Sequence, residues 1–220
     1  MSVISTPIEN NKNLKVVGHP LIMDKLSRMR DKACPMGAFK QYLHDIAILM
    51  APYVTENLSV TTQSVETPIC TMDGTVLADS TPVIVPILRA ALGMSSGLET
   101  VLKDSPVGHV GVYRDEETKN PVEYLVKLPP LEKKKIILVD PMLATGNSAA
   151  YAVSLLLKAG VKEKDIVFMG LICAPEGVKR FNDEYPDITI YMASLDECLN
   201  ENAYIVPGLG DAGDRVFGTN

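Results

Sequence analysis

Asp140 closes the apolar run "KIILVD", and Thr145, Gly146, Asn147 and Ser148 follow before the helix-like "NSAAYAVSLLLKAG". An acid at a strand tip can accept hydrogen bonds from the hydroxyls of a sugar. A glycine ahead of a helix lets a ligand come close to the backbone. The first N–H groups of that helix have no partner within it and carry partial positive charge, which suits a phosphate. The hydroxyls of Thr145 and Ser148 add donors, so a phosphorylated ribose fits the residue types. The same local pattern also fits an ordinary strand-to-helix turn with an Asp and a Ser or Asn helix cap. It is not a Walker loop, because G-x-x-x-x-G-K-[ST] is absent.

A second stretch, "GLGDAG" at Gly208 to Gly213, has the G-x-G-x-x-G spacing of dinucleotide-binding loops. That fingerprint needs a strand before it, a full helix after it and an acid about 20 residues further on. The sequence stops at Asn220, so no βαβ unit is expected there. These glycines need another explanation.

The composition narrows the classes. The chain has 220 residues, 46% of them hydrophobic, and a net charge of −6, which leaves no basic footprint for nucleic acid. Lys133, Lys134 and Lys135 precede "IILV" and read as a solvated strand entrance rather than a binding patch. No apolar run approaches the length of a membrane span. The first residues show neither a signal core nor an arginine-rich amphipathic pattern, so the cytoplasm is the expected location. Cys34, Cys70, Cys173 and Cys198 form no C-x-x-C pair and read as small buried or half-buried hydrophobes. His19, His44 and His109 are far apart, and no His/Cys metal motif is visible.

The elements that must position these residues are legible from periodicity. Residues 1–18 read as a loose polar arm. "PLIMDKLSRMR" opens with proline and places Leu21, Ile22, Leu26 and Met29 at helical spacing. "MGAFKQYLHDIAILMAPYV" places Phe39, Leu43, Ile46, Ala47 and Met50 on one face. Short apolar runs at 82–88, 107–114, 135–140, 166–174 and 188–193 then alternate with helix-like segments. A hairpin-like excursion with a charged tip joins 107–114 to 122–128. Strands that are apolar throughout, alternating with helices, predict an α/β fold with a mostly parallel sheet covered on both faces. No linker divides it, and a single domain over 1–220 is expected.

"VDPMLATGNS" resembles the phosphoribosyl pyrophosphate (PRPP) motif of type I phosphoribosyltransferases, in the form carried by the uracil phosphoribosyltransferase family. "HPLIMDKLSRMRD", "VPILRAALGM", "YRDEET" and "YIVPGLGDAGDRVFGT" resemble further segments of that family in the same order. The likeness runs from about His19 to the end. It implies the type I phosphoribosyltransferase fold, with an N-terminal helical arm and a hood formed partly by the C-terminal segment. It implies transfer of a phosphoribosyl group from PRPP to uracil, giving UMP and pyrophosphate.

Residue by residue, the resemblance implies that Asp140, Pro141, Met142, Leu143, Ala144, Thr145, Gly146, Asn147 and Ser148 hold the ribose and 5′-phosphate. Arg89 and Arg114 would face the pyrophosphate, a task that suits the planar guanidinium fork. Ile205, Gly210, Asp211 and Ala212, within a base-binding segment at 204–219, would contact uracil. Asp211 would also lie near PRPP or its metal, and Arg89 and Asp211 are the catalytic candidates. Mg2+ would be held mainly through PRPP, with no direct protein motif. A homodimer or higher homo-oligomer is implied; the N-terminal helices either supply its interface or cover the sheet. Some relatives respond to GTP, so GTP is raised as an effector, with no residue assigned to it. The competing readings are a phosphoribosyltransferase for another base and a PRPP-binding regulator of pyrimidine genes. The chain departs from the common Thr-Gly-Gly at Asn147, and asparagine is among the better-tolerated residues should that position need positive φ.

Overall fold

The structure, a computed structural model, describes residues 13–79, 81–114 and 121–219. In chain order the elements are β1 (Leu14–Val16), α1 (Pro20–Arg30), α2 (Met36–Val54), β2 (Val60–Glu66), β3 (Thr71–Leu77), β4 (Val83–Leu88), α3 (Leu92–Val101), β5 (His109–Arg114) and β6 (Pro121–Lys127). They continue with β7 (Ile136–Val139), β8 (Met142–Leu143), α4 (Asn147–Lys158), β9 (Ile166–Cys173), α5 (Pro175–Glu184), β10 (Thr189–Leu195), β11 (Cys198–Leu199), β12 (Ile205–Val206) and α6 (Ala212–Phe217).

The main sheet has the order β1-β10-β9-β7-β4-β5-β6, with β8 added beside β9. Every pairing in it is parallel except β5 with β6. The pattern follows from burial. In β7, Ile137 and Val139 enter the core on one side of the sheet, while Ile136 and Leu138 enter the core on the other. A strand buried on both faces must be apolar at every position. The first of these cores holds α1, α2, α3 and α6, and the second holds α4 and α5.

The local signals act as their chemistry requires. Pro20 starts α1, where a missing N–H leaves nothing unsatisfied, and the Leu21 N–H donates to His19 Nδ1 at 3.3 Å. Ile22, Leu26 and Met29 are buried, whereas Leu21 is 55% exposed. All five residues expected on the apolar face of α2 are buried. These two helices therefore cover the sheet. α4 ends one residue before Ala159, and Gly160 takes the left-handed conformation that stops it.

Two expectations need correction, and one unassigned region proves to be structured. The N-terminal arm is not loose up to residue 18. Leu14–Val16 form an edge strand parallel to β10, and the Val17 side chain is buried. The cysteines are not all buried or half-buried, because Cys70 and Cys198 are exposed. The region between α2 and β4, which carried no assignment from sequence, forms the antiparallel hairpin β2–β3, and among the described residues this hairpin pairs with no other strand. Residues 1–12 and the expected charged tip at 115–120 lie outside the described residues. Among the described residues, no helix is long and apolar enough to cross a membrane.

Candidate functional site at the strand tips

β7 delivers Asp140 at its carboxyl end. The Asp140 N–H donates to the Met169 carbonyl at 3.1 Å, which keeps the residue in line with β9. Its Oδ1 accepts from the Met142 N–H at 3.2 Å. The loop that follows is not free. The Pro141 carbonyl accepts from the N–H groups of Leu171 and Ile172, each at 3.0 Å. Met142 and Leu143 then run as β8 alongside Ile172 and Cys173.

The chain turns into α4 at Gly146, which has φ of 80° and is the N-cap. Only a glycine adopts that conformation without strain. Asn147 is the first residue of the helix and lies outside the positive-φ positions. The substitution at Asn147 therefore leaves the turn geometry to Gly146. Its N–H lies 3.5 Å from Thr145 Oγ1, and its buried Oδ1 has no hydrogen-bond partner among the described residues.

A residue the sequence reading passed over supports this loop. Gly177, in the first turn of α5, packs directly against it. A methyl group on Gly177 would overlap the Ala144 carbonyl oxygen and lie 2.7 Å from that of Leu143. A methyl on Gly146 would lie 3.0 Å from the Gly177 carbonyl oxygen. The available signal was a glycine inside a helix pattern, a choice disfavoured by about 1 kcal/mol unless a close approach needs it.

β4 lies next to β7, with Pro86 opposite Val139, so the two strands end side by side. Arg89 follows β4 directly, is exposed, and places its guanidinium 5.4 Å from the centre of the Phe217 ring in α6. Arg114 ends β5, the next strand, and its side chain lies outside the described residues. The C-terminal segment reaches the same edge. β11 and β12 form a small antiparallel hairpin, with Leu199 opposite Ile205. Gly208 and Gly210 follow, both left-handed, and Asp211 caps α6 by accepting from the Asp214 N–H at 3.0 Å. Ile205 and Ala212 are buried, while Gly210 and Asp211 are exposed. The glycine-rich stretch is thus a turn into a six-residue helix rather than the start of a βαβ unit.

The electrostatics tie the two halves together. Burial pushes the Asp140 carboxyl up to about 7. The Met142 N–H pulls it the other way, and the charge of Asp211 adds to the rise. A methyl group on Gly213, in α6, would lie 3.9 Å from the Ala90 side chain, so the C-terminal turn sits beside the residue that follows Arg89. Among the described residues, no group of three or more His, Cys, Asp or Glu side chains could hold a metal ion.

The parallel sheet thus brings an acid, a helix N-terminus and an arginine to neighbouring strand tips, and similarity to known proteins places the chain in the phosphoribosyltransferase class. The family model described as uracil phosphoribosyltransferase matches residues 16–219. Curated proteins named uracil phosphoribosyltransferase are similar over nearly the whole length. One from Rhodospirillum centenum is 53% identical, covering 94% of this chain and 96% of that one. One from Paraburkholderia phymatum is 51% identical, covering 94% and 95%. A solved structure of a protein from Aquifex aeolicus superposes with a TM-score of 0.89 at 31% identity, covering 94% of this chain and 99% of that one. The chain belongs to the uracil phosphoribosyltransferase family.

Two outcomes test the geometry. Gly177→Ala is expected to destabilise the fold by about 1–3 kcal/mol through overpacking, and to reduce the thermal protection given by ribose 5-phosphate. Wild-type values in both denaturation and thermal-shift measurements would detach α5 from the site. Asp140 has a folded pKa of about 7 against an ordinary value of 3.8. Its contribution to stability is therefore fully present below the ordinary value and is lost as pH rises towards 7. Denaturant titrations should show the wild type losing stability relative to Asp140→Asn over that window, with a constant difference at higher pH. A pH-independent difference would mean that Asp140 has the same pKa in the folded and unfolded chain.

Proposed function

We propose that the chain transfers the phosphoribosyl group of PRPP to uracil, giving UMP and pyrophosphate. The observation that carries this reading is the packing of α6 beside the end of β4, where the Arg89 guanidinium lies 5.4 Å from the Phe217 ring. This brings the C-terminal glycine turn to the edge of the sheet where β4 and β7 end.

In this reading, residues 140–148 hold the sugar phosphate. Asp140 accepts from the ribose hydroxyls, and the loop and the first N–H groups of α4, with Thr145 and Ser148, take the 5′-phosphate. Arg89 and Arg114 face the pyrophosphate. Uracil presents acceptor, donor and acceptor along O2, N3–H and O4. Main-chain groups near Ile205, Gly210, Asp211 and Ala212 can match that order, whereas cytosine would leave buried polar groups mispaired. Uracil N1 attacks C1′ as pyrophosphate departs from the opposite side, and the N1 proton passes to Asp211 or to the departing pyrophosphate. Such a reaction is helped mainly by holding the reactants in line and by stabilising charge on the leaving group. No histidine or carboxylate pair is needed as a strong base.

The residues present fit Mg2+ entering with the substrate. The chain offers no cage of its own, but Asp211 is an exposed carboxylate at the cleft, a hard oxygen donor of the kind Mg2+ takes alongside phosphate oxygens and water. Asp211 is the residue that would face the ion. When bound, the ion neutralises charge on the departing pyrophosphate.

The direct test incubates the protein with Mg2+, PRPP and labelled uracil, with cytosine, orotate and hypoxanthine as competitors and GTP titrated as an effector. UMP is the expected product, and no product from uracil would refute the assignment. Asp140→Asn should lower kcat/KM for PRPP by about a hundredfold, the scale of losing charge-assisted hydrogen bonds. An unchanged value would remove Asp140 from ribose recognition.

The reading includes a homo-oligomer, and the β2–β3 hairpin supports it. An isolated hairpin is marginal in water, and this one exposes Val60, Val65, Met72 and Leu77, with Ile69 at 91% exposure. A second copy of the chain is the partner we assign to it. Light scattering should show a dimer or larger species for the wild type and a smaller one for Val65→Lys combined with Ile69→Lys. A monomeric wild type at micromolar concentration would refute this.

A further inference from the structure

Arg30, the last residue of α1, reaches across to the end of β10. Its Nη2 donates to Asp196 Oδ1 at 2.6 Å and to Ser194 Oγ at 3.1 Å. Its Nη1 donates to Asp196 Oδ2 and to the Gly208 carbonyl, each at 2.7 Å. The Gly208 N–H in turn donates to Asp196 Oδ2 at 3.0 Å. One ion pair thus occupies both polar groups of the Gly208 backbone. The Asp196 side chain is 2% exposed and that of Arg30 23%. Burial alone would raise the Asp196 carboxyl, but its bonds to Arg30, Ser194 and Gly208 outweigh burial and hold it below the usual carboxylate range.

The next residue is held from the same helix end. The Leu209 carbonyl accepts from Arg215 Nη1 at 2.9 Å, and Arg215 also donates to the carbonyls of Met29 and Asp31. Past Leu209 the chain turns outward. Gly208 and Leu209 are buried, whereas Gly210 and Asp211 are exposed. Neither the N–H nor the C=O of Gly210 has a hydrogen-bond partner among the described residues. The buried half of the turn is locked, while both peptide groups of Gly210 stay unpaired among the described residues.

We propose that the Arg30–Asp196 pair is a positioning device for base selection. Arg30 and Asp196 fix the Gly208 peptide groups so that the main chain of Gly210 to Ala212 presents one donor and acceptor order to the base. This rests on the uracil reading above. Backbone recognition tolerates errors of only about 0.5 Å, so the turn needs rigid support from behind. A planar guanidinium bonded in two places to a carboxylate fixes orientation as well as distance, which an ammonium does not.

The test uses Arg30→Lys, which keeps the charge but cannot make all of these directed bonds at once. The expected result is a KM for uracil raised about tenfold, with kcat and the KM for PRPP within about twofold of wild type. Selectivity for uracil over cytosine should fall. The double variant Arg30→Met with Asp196→Asn removes both charges, leaves no buried ion unpaired and should show the same pattern. Lys25→Ala breaks another part-buried ion pair of α1, with Asp45, and should leave the KM for uracil unchanged. Equal rises in both KM values, or an unchanged KM for uracil in Arg30→Lys, would overturn the proposal. Backbone amide exchange at Gly208 to Asp211 reads the device without catalysis. Faster exchange in Arg30→Lys supports it, and unchanged exchange overturns it. A wild type that makes no UMP refutes the activity, while exchange still decides whether the pair holds the turn.

Discussion

All the strands from β1 across to β5 run in one direction, so their carboxyl ends share one edge of the sheet. This constraint determines where chemistry can occur. The central strands are apolar at every position because both faces are covered. A charged group can therefore stand only beyond a strand end. Asp140 follows Val139, Arg89 follows Leu88, and Asp196 follows Leu195. The parallel register brings these ends alongside one another, and the β11–β12 hairpin returns the C-terminal turn to the same edge.

Positioning at that edge comes from behind it. α5 contributes two adjacent residues to two different parts of the cleft. Gly177 allows the strand-tip loop to rest on the helix, and the neighbouring Glu176 accepts from the Leu199 N–H in β11 at 3.0 Å. A single helical turn thus touches the loop at Ala144 and the hairpin that carries Ile205. The end of α1 does the same for the glycine turn through Arg30 and through the carbonyls that Arg215 grips. The two sides of the cleft are spaced by shared supports. This is why a one-atom change at Gly177 bears on residues from two distant stretches of sequence.

The sequence shows some of this plainly and some not at all. α1, α2 and the strands at 83–88, 136–139 and 166–173 are legible because burial imposes a period or a continuous apolar run. The loop at 140–148 is legible because acid, glycine and hydroxyl residues stand at a strand-to-helix boundary. The β2–β3 hairpin escaped notice because both faces of its strands are exposed, so no core-facing alternation marks it. Its β-branched runs around Thr67-Pro68 were the available signal. β1 was hidden by brevity, three residues in a polar context. Arg30 and Asp196 are 166 positions apart. Each looks like an ordinary charge at the end of an element, and only the fold shows that the two together hold Gly208.

The remaining question is how a chain of net charge −6 receives a highly anionic ligand at an edge that also holds the acids Asp140 and Asp211. Global charge governs approach from a distance, whereas the cleft is governed by what lies within a few ångströms. Burial keeps Asp140 partly protonated near neutral pH, which lessens the repulsion between it and Asp211 before any ligand arrives. In the proposed reading, hydroxyl donors from the ribose would favour the ionised carboxylate, lowering the Asp140 pKa and releasing its proton. By linkage, the same donors bind more tightly once the proton has left. In that reading the acid at the strand tip is partly protonated without ligand and would become a full acceptor with a sugar bound. The desolvation that makes the free carboxylate unfavourable also strengthens the hydrogen bonds it then accepts.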